Sequence, residues 1–140
     1  MKRDDAGSTL PLILGFFLLA LIMVAGSIAA GDAFVQQRDL QDVCDGAATA
    51  AAASGVDLGR GGALGGEQSL QFGDVATAVS AYVARDPSRG DVHISAELSP
   101  DRRTLTLQCE QTEQIAFGAM FGKGAGVHHI ATSSARVPLS

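Results

Sequence analysis

The chain has 140 residues, 46% of them hydrophobic, with 10 Lys and Arg against 15 Asp and Glu for a formal charge of −5. That length allows one small domain and a short appendage. The scattered basic residues and the absence of Trp exclude the clustered basic surface that nucleic-acid binding needs. No charged residue lies between Ser8 and Gly31, which excludes both a simple soluble globule and a wholly disordered chain.

Residues 1–9 read as a short cytoplasmic N-terminus and residues 10–30, LPLILGFFLLALIMVAGSIAA, as a transmembrane helix. At 1.5 Å per residue an apolar helix of about 20 residues spans a hydrocarbon core of about 30 Å. Pro11 falls in the first turn, where its missing N–H costs little, and Ser8 or Thr9 can cap the free amides. A cleaved signal peptide is the alternative, with Lys2 and Arg3 as its basic end and Ala29 or Ala30 at the cut. The apolar run exceeds the usual h-region of about 7–15 residues, so a retained anchor is expected. Lys2 and Arg3 before the span, against Arg38 alone soon after it, orient the N-terminus inside and the remainder outside. Gly26 and Ala30, four residues apart, offer a small-residue face to a neighbouring helix in the membrane.

Residues 31–54 continue the helical period. Ala33, Leu40, Val43, Cys44, Ala47 and Ala51 fall on one face, while Arg38, Asp39, Asp42 and Asp45 fall on the opposite one. Gly46 is the one interruption, and Gly55 is a natural stop. Arg38 and Asp42 stand at i, i+4 spacing, which supports an exposed ion pair. The face of Arg38, Asp42 and Asp45 is solvated or docks a neighbouring subunit.

The N-terminal Arg3-Asp4-Asp5-Ala6-Gly7-Ser8, the apolar span, and the following Leu40-Gln41-Asp42-Val43-Cys44-Asp45-Gly46 with its Ala-rich run resemble the TadE/TadG-like family of the tight-adherence (Flp) pilus system. The resemblance covers about the first 55 residues. It implies a membrane-anchored pseudopilin or accessory subunit of a type IV-like pilus or secretion apparatus. Its partners would be the lipid bilayer and other machinery subunits. Pilins cut by prepilin peptidase usually carry Glu at the fifth mature position. A cut after Gly7 would place Leu12 there, which fits the unprocessed TadG-like branch.

Residues 55–73 hold seven glycines and read as a loop without a phosphate-binding pattern. Residues 74–140 read as a small extracytoplasmic α/β domain. Asp74 can cap a helix carrying Val75, Ala78, Val79, Tyr82 and Val83 on one face, ended by Pro87 and Gly90. Val92, Ile94, Ala96 and Leu98 alternate in a strand; Ser99-Pro100-Asp101-Arg102 is a turn; Leu105, Leu107 and Cys109 alternate in a second strand. Thr112 and Glu113 are expected to open a short helix through Phe121, before a turn at 122–126 and a third strand over 127–137. The fold class is α+β: a transmembrane helix continuing as an amphipathic one, packed on a small antiparallel sheet in the pilin-like manner.

Cys44 and Cys109 both point at this predicted core. An oxidising exterior favours a bond between them; two buried free thiols are the alternative. His128 and His129 are neighbours on a strand and point to opposite faces, so they do not share a metal. No nucleophile–base arrangement or paired acids at interpretable spacing appears, so neither enzyme activity, a cofactor nor a small-molecule substrate is expected. The readings that compete with a pilus subunit are a secreted or anchored binding module and an accessory subunit of an unrelated membrane complex.

Overall fold

The computed structural model describes residues 9–61 and 72–136, with the side chains of 55–61 and of 72–73 left aside. The expected N-terminus, the cap at Ser8, the loop from residue 62 to 71 and the strand end at Val137 lie outside the described residues. Helix α1 runs unbroken over Thr9–Gly61, 53 residues or about 80 Å. After Pro11 no proline interrupts it. It does not stop at Gly55. Extending an existing helix needs no new nucleus, and each Gly costs only about 1 kcal/mol relative to Ala. Helix α2, Phe72–Ala84, follows, with Asp74 inside its first turn rather than at its cap. A 3₁₀ turn at Pro87–Arg89, begun by Asp86 and closed at Gly90, ends this segment.

Three strands, β1 His93–Leu98, β2 Thr104–Glu113 and β3 Val127–Arg136, form an antiparallel sheet with β2 in the centre. The register sets Ile94 opposite Cys109, Ala96 opposite Leu107, and Cys109 opposite Ala131. One sheet face is therefore Ile94, Ala96 and Leu98, then Leu105, Leu107 and Cys109, then His129, Ala131, Ser133 and Ala135. That face packs on Leu40, Cys44, Ala47, Ala48 and Ala51 of α1 and on Val75 of α2. The other face carries Ser95, Glu97, Gln108 and Thr132 toward water. Alanine and serine on β3 allow the thick α1 helix to lie close to an edge strand.

The short helix expected from Thr112 is absent. Thr112 and Glu113 remain in β2, paired with His128 and Val127. A β-branched residue and a cross-strand contact from Thr112 Oγ1 to His128 Nδ1 at 3.2 Å favour the ladder. Only a single 3₁₀ turn, Gly118–Phe121, forms before the chain reverses. Gly126, with φ 95°, is required there, because a Cβ would stand 2.8 Å from the Glu113 carbonyl oxygen.

Gly46 is a packing notch. Tyr82 of α2 lies over it, and a Cβ there would stand 2.7 Å from Tyr82 Cζ. The Arg89 guanidinium lies 4.2 Å from the centre of the Tyr82 ring and donates to the Tyr82 carbonyl at 3.2 Å, which holds the residue in place. Gly46→Ala is expected to lose about 1–2 kcal/mol net. Overpacking costs about 1–3, and the gain in helix propensity returns up to about 1. A urea titration checks it, and adding Tyr82→Ala should make the double variant more stable than the two single losses sum to.

Two exposed aspartates organise the turns. The Ser88 hydroxyl, then the Ser88 amide, donates to Asp86 and lowers its carboxyl pKa below the usual value. The Ser99 hydroxyl, then the Arg103 amide, does the same for Asp101. These bonds favour the charged form, so their contribution is present above the ordinary carboxylate pKa and fades as pH falls through the lowered one. An NMR titration should place both midpoints below that of an aspartate in an unstructured peptide.

Candidate membrane-anchoring and subunit-docking surface

The two halves of α1 serve different surroundings. In the first half large apolar side chains stand open, including Leu10, Ile13, Phe16, Phe17, Met23 and Val24. Only 6% of its most apolar window is buried, with a mean hydropathy of 2.7. In the second half the stripe from Leu40 to Ala51 is almost completely covered. A helix that is apolar around its circumference needs lipid or protein on every side, whereas one with a single covered stripe already has its partner.

The small-residue pair expected to admit a neighbouring helix divides. Ala30 is exposed. Gly26 is half-covered by the chain itself, since Phe121 Cζ lies 3.7 Å from where its Cβ would be. Arg38, Asp42 and Asp45 all lie exposed along the helix, but among the described residues Arg38 and Asp42 do not close an ion pair. The pair stays open at no great cost, since such solvated pairs are worth only about 0.3–0.5 kcal/mol. Asp45 Oδ1 instead accepts from Gln41 Nε2 at 3.0 Å.

Cys44 and Cys109 form a disulfide joining α1 to the central strand, with Cα atoms 5.9 Å apart and both residues fully buried. His128 is exposed, whereas His129 is 5% exposed and faces α1. No group of three or more potential metal ligands gathers among the described residues.

A row of polar side chains on α1 was not legible beforehand. Asp32 Oδ2 accepts from the Ala116 amide at 2.8 Å, and Gln36 Nε2 donates to the Gln114 carbonyl at 3.2 Å. Gln37 Nε2 donates to the Ile130 carbonyl at 2.8 Å, while its Oε1 meets His129 Nδ1 at 3.0 Å. Gln41 Nε2 also donates to the Thr132 carbonyl at 3.1 Å. Ile130 and Thr132 belong to an edge strand, and an edge strand presents unpaired backbone groups. Uncharged amides at Gln36, Gln37 and Gln41, beside the apolar stripe, were the available signal.

The geometry defines a class: an α+β head carried on a helix whose free half is long and apolar enough to be a single-pass membrane anchor. Residues 7–54 match the family model described as "Putative Flp pilus-assembly TadE/G-like", which supports placing the chain with TadE/TadG-like proteins and points to tight-adherence pilus assembly. The match spans the apolar half of α1 and the part that carries Leu40, Gln41 and Cys44. No curated protein and no solved structure matches the chain.

Proposed function

We propose that the protein is a membrane-anchored, pseudopilin-like or accessory subunit of a tight-adherence pilus or secretion apparatus. On this reading it is a structural part rather than an enzyme, held with its N-terminus cytoplasmic and its head outside. It works by packing α1 against other subunits. The observation that carries the reading is the continuity of α1: one rigid helix joins an uncovered apolar half to the spine of the head, and the family match falls on that same segment. The exposed Ala30 permits close approach, and the exposed Arg38, Asp42 and Asp45 set the register with a neighbour.

The test is co-purification from the cell envelope. The chain should resist a carbonate wash and begin at or before Ser8; a mature start at Ala30 or Gly31 would overturn the anchor. Ala30→Leu and Asp45→Lys alter exposed positions and leave the head's core intact, so both variants should fold and insert yet lose their machinery partners. A second reading, an anchored binding module, is favoured by an open groove of about 610 Å³ between α2 and β1, lined by Val79, Val83, Ile94 and Ala96 among others. If both helix variants keep their partners and Val83→Asp, at a lining residue outside the core cluster, loses them, the second reading replaces the first.

A further inference from the structure

Four large hydrophobic side chains outside α1 are exposed among the described residues: Phe117, Met120, Phe121 and Ile130, at 48%, 67%, 43% and 48%. Three of them stand within one short stretch, at the tip of the connection between β2 and β3. Water is a poor neighbour for such a cluster, and a patch of this kind marks a contact surface. The backbone presents it actively. Phe117 adopts φ 59°, a left-handed conformation that bulky residues avoid, and thereby starts the 3₁₀ turn that carries Met120 and Phe121.

The position of this tip along α1 is fixed by three contacts. Gln114 is held by Gln36, Ala116 by Asp32, and the Phe121 ring lies over Gly26. Successive residues of the connection therefore step along the helix toward its apolar half. Asp32 is the first charged residue after the span, so it marks the water boundary. Gly26 lies six residues earlier, which at 1.5 Å per residue is about 9 Å along the axis. Apolar elements that lie in a membrane interface are buried to about 5–10 Å, the same depth. Around Gly26 the helix exposes Ile22, Met23, Val24 and Ile28, so the cluster shares its surroundings with the span itself. Lys123, exposed just beyond the tip, has a stem long enough to keep its ammonium among lipid headgroups.

We infer that residues 114–126 form a second membrane contact, with Phe117, Met120 and Phe121 seated in the acyl region of the leaflet on the head's side, beside the span. The occupant is lipid. A partner in water cannot reach the level of Gly26, and the hydrocarbon surrounding the span is already there. The head would then rest on the bilayer rather than pivot above it, which fixes the direction in which its sheet faces neighbouring subunits. The inference rests on the reading of α1 as a membrane anchor.

The chain contains no Trp, so single substitutions give unambiguous fluorescence reporters. Full-length Met120→Trp, Phe17→Trp and Glu97→Trp would be reconstituted in phosphatidylcholine–phosphatidylglycerol vesicles, with and without acyl chains brominated near the headgroup. Phe17 lies within the span, and Glu97 on the outward face of β1. The expected result is a blue-shifted Met120→Trp emission that brominated lipid quenches nearly as strongly as Phe17→Trp, while acrylamide quenches only Glu97→Trp. Met120→Trp behaving like Glu97→Trp, with Phe17→Trp quenched by lipid, would overturn the lipid contact and leave the anchor standing. Loss of lipid quenching at Phe17→Trp would overturn both. A Met120→Trp shielded from both quenchers would overturn the lipid contact in favour of a second protein chain.

Discussion

Cys109→Ser will lower the stability of the head by at least about 4 kcal/mol. The bond joins residues 65 apart in sequence, and closing a loop of that size removes about 4 kcal/mol of chain entropy from the unfolded state. The substitution adds a second penalty, a hydroxyl and an unpaired thiol in a fully buried site between α1 and β2. A domain of this size has a total stability of about 5–15 kcal/mol, so the variant should be near the limit of folding. Urea unfolding under non-oxidising conditions should bring the native chain to nearly the same midpoint as the variant. Non-reducing peptide mapping of envelope-derived protein should join the Cys44 and Cys109 peptides. Equal midpoints for native and variant proteins without reductant, with free thiols at both positions of the native chain, would refute the bond and its contribution together.

Leu107→Ala is expected to cost about 3–5 kcal/mol, in the upper part of the range for such truncations. Leu107 is fully buried at the centre of the sheet. Its cross-strand neighbours are Ala96 and Ser133, and the cluster it belongs to draws Ala47, Ala48 and Ala51 from α1 beside Leu40 and Cys44. None of these short side chains can swing into the space left behind, so the cavity persists and its full cost is felt. The measurement is again the urea midpoint. Membrane retention should be unaffected, because the apolar half of α1 does not draw on this core. A loss below about 1 kcal/mol would mean that the site collapses, contrary to the packing of small residues described.

Elements that one period or one run can specify were legible in the residues alone. Leu40, Cys44, Ala47 and Ala51 recur with helical spacing and are buried, and Leu105, Leu107 and Cys109 alternate and are buried. The uncharged run to Gly31 settled the existence of a long apolar helix, since length and hydropathy are local quantities. The remaining features depend on partners distant in the chain. Glycine at 55 was a local reason to stop, but α1 was already formed and continued to Gly61. Thr112 and Glu113 could begin a helix in isolation, yet pairing with His128 and Val127 held them in β2. Gly46 reads locally as an interruption, but Tyr82 lies over it, and Gly26 reads as free for a neighbour, but Phe121 covers it. Gln37 and Gln41 carry no charge and no period of their own; they gain a role only where β3 brings its open carbonyl groups alongside. The exposed cluster of Phe117, Met120 and Phe121 likewise reads as a local apolar stretch, and its level against the span comes from contacts with Asp32 and Gly26, more than 80 residues earlier in the chain. Periodicity reports which side of an element is apolar, whereas the packing of elements separated in sequence decides what that side meets.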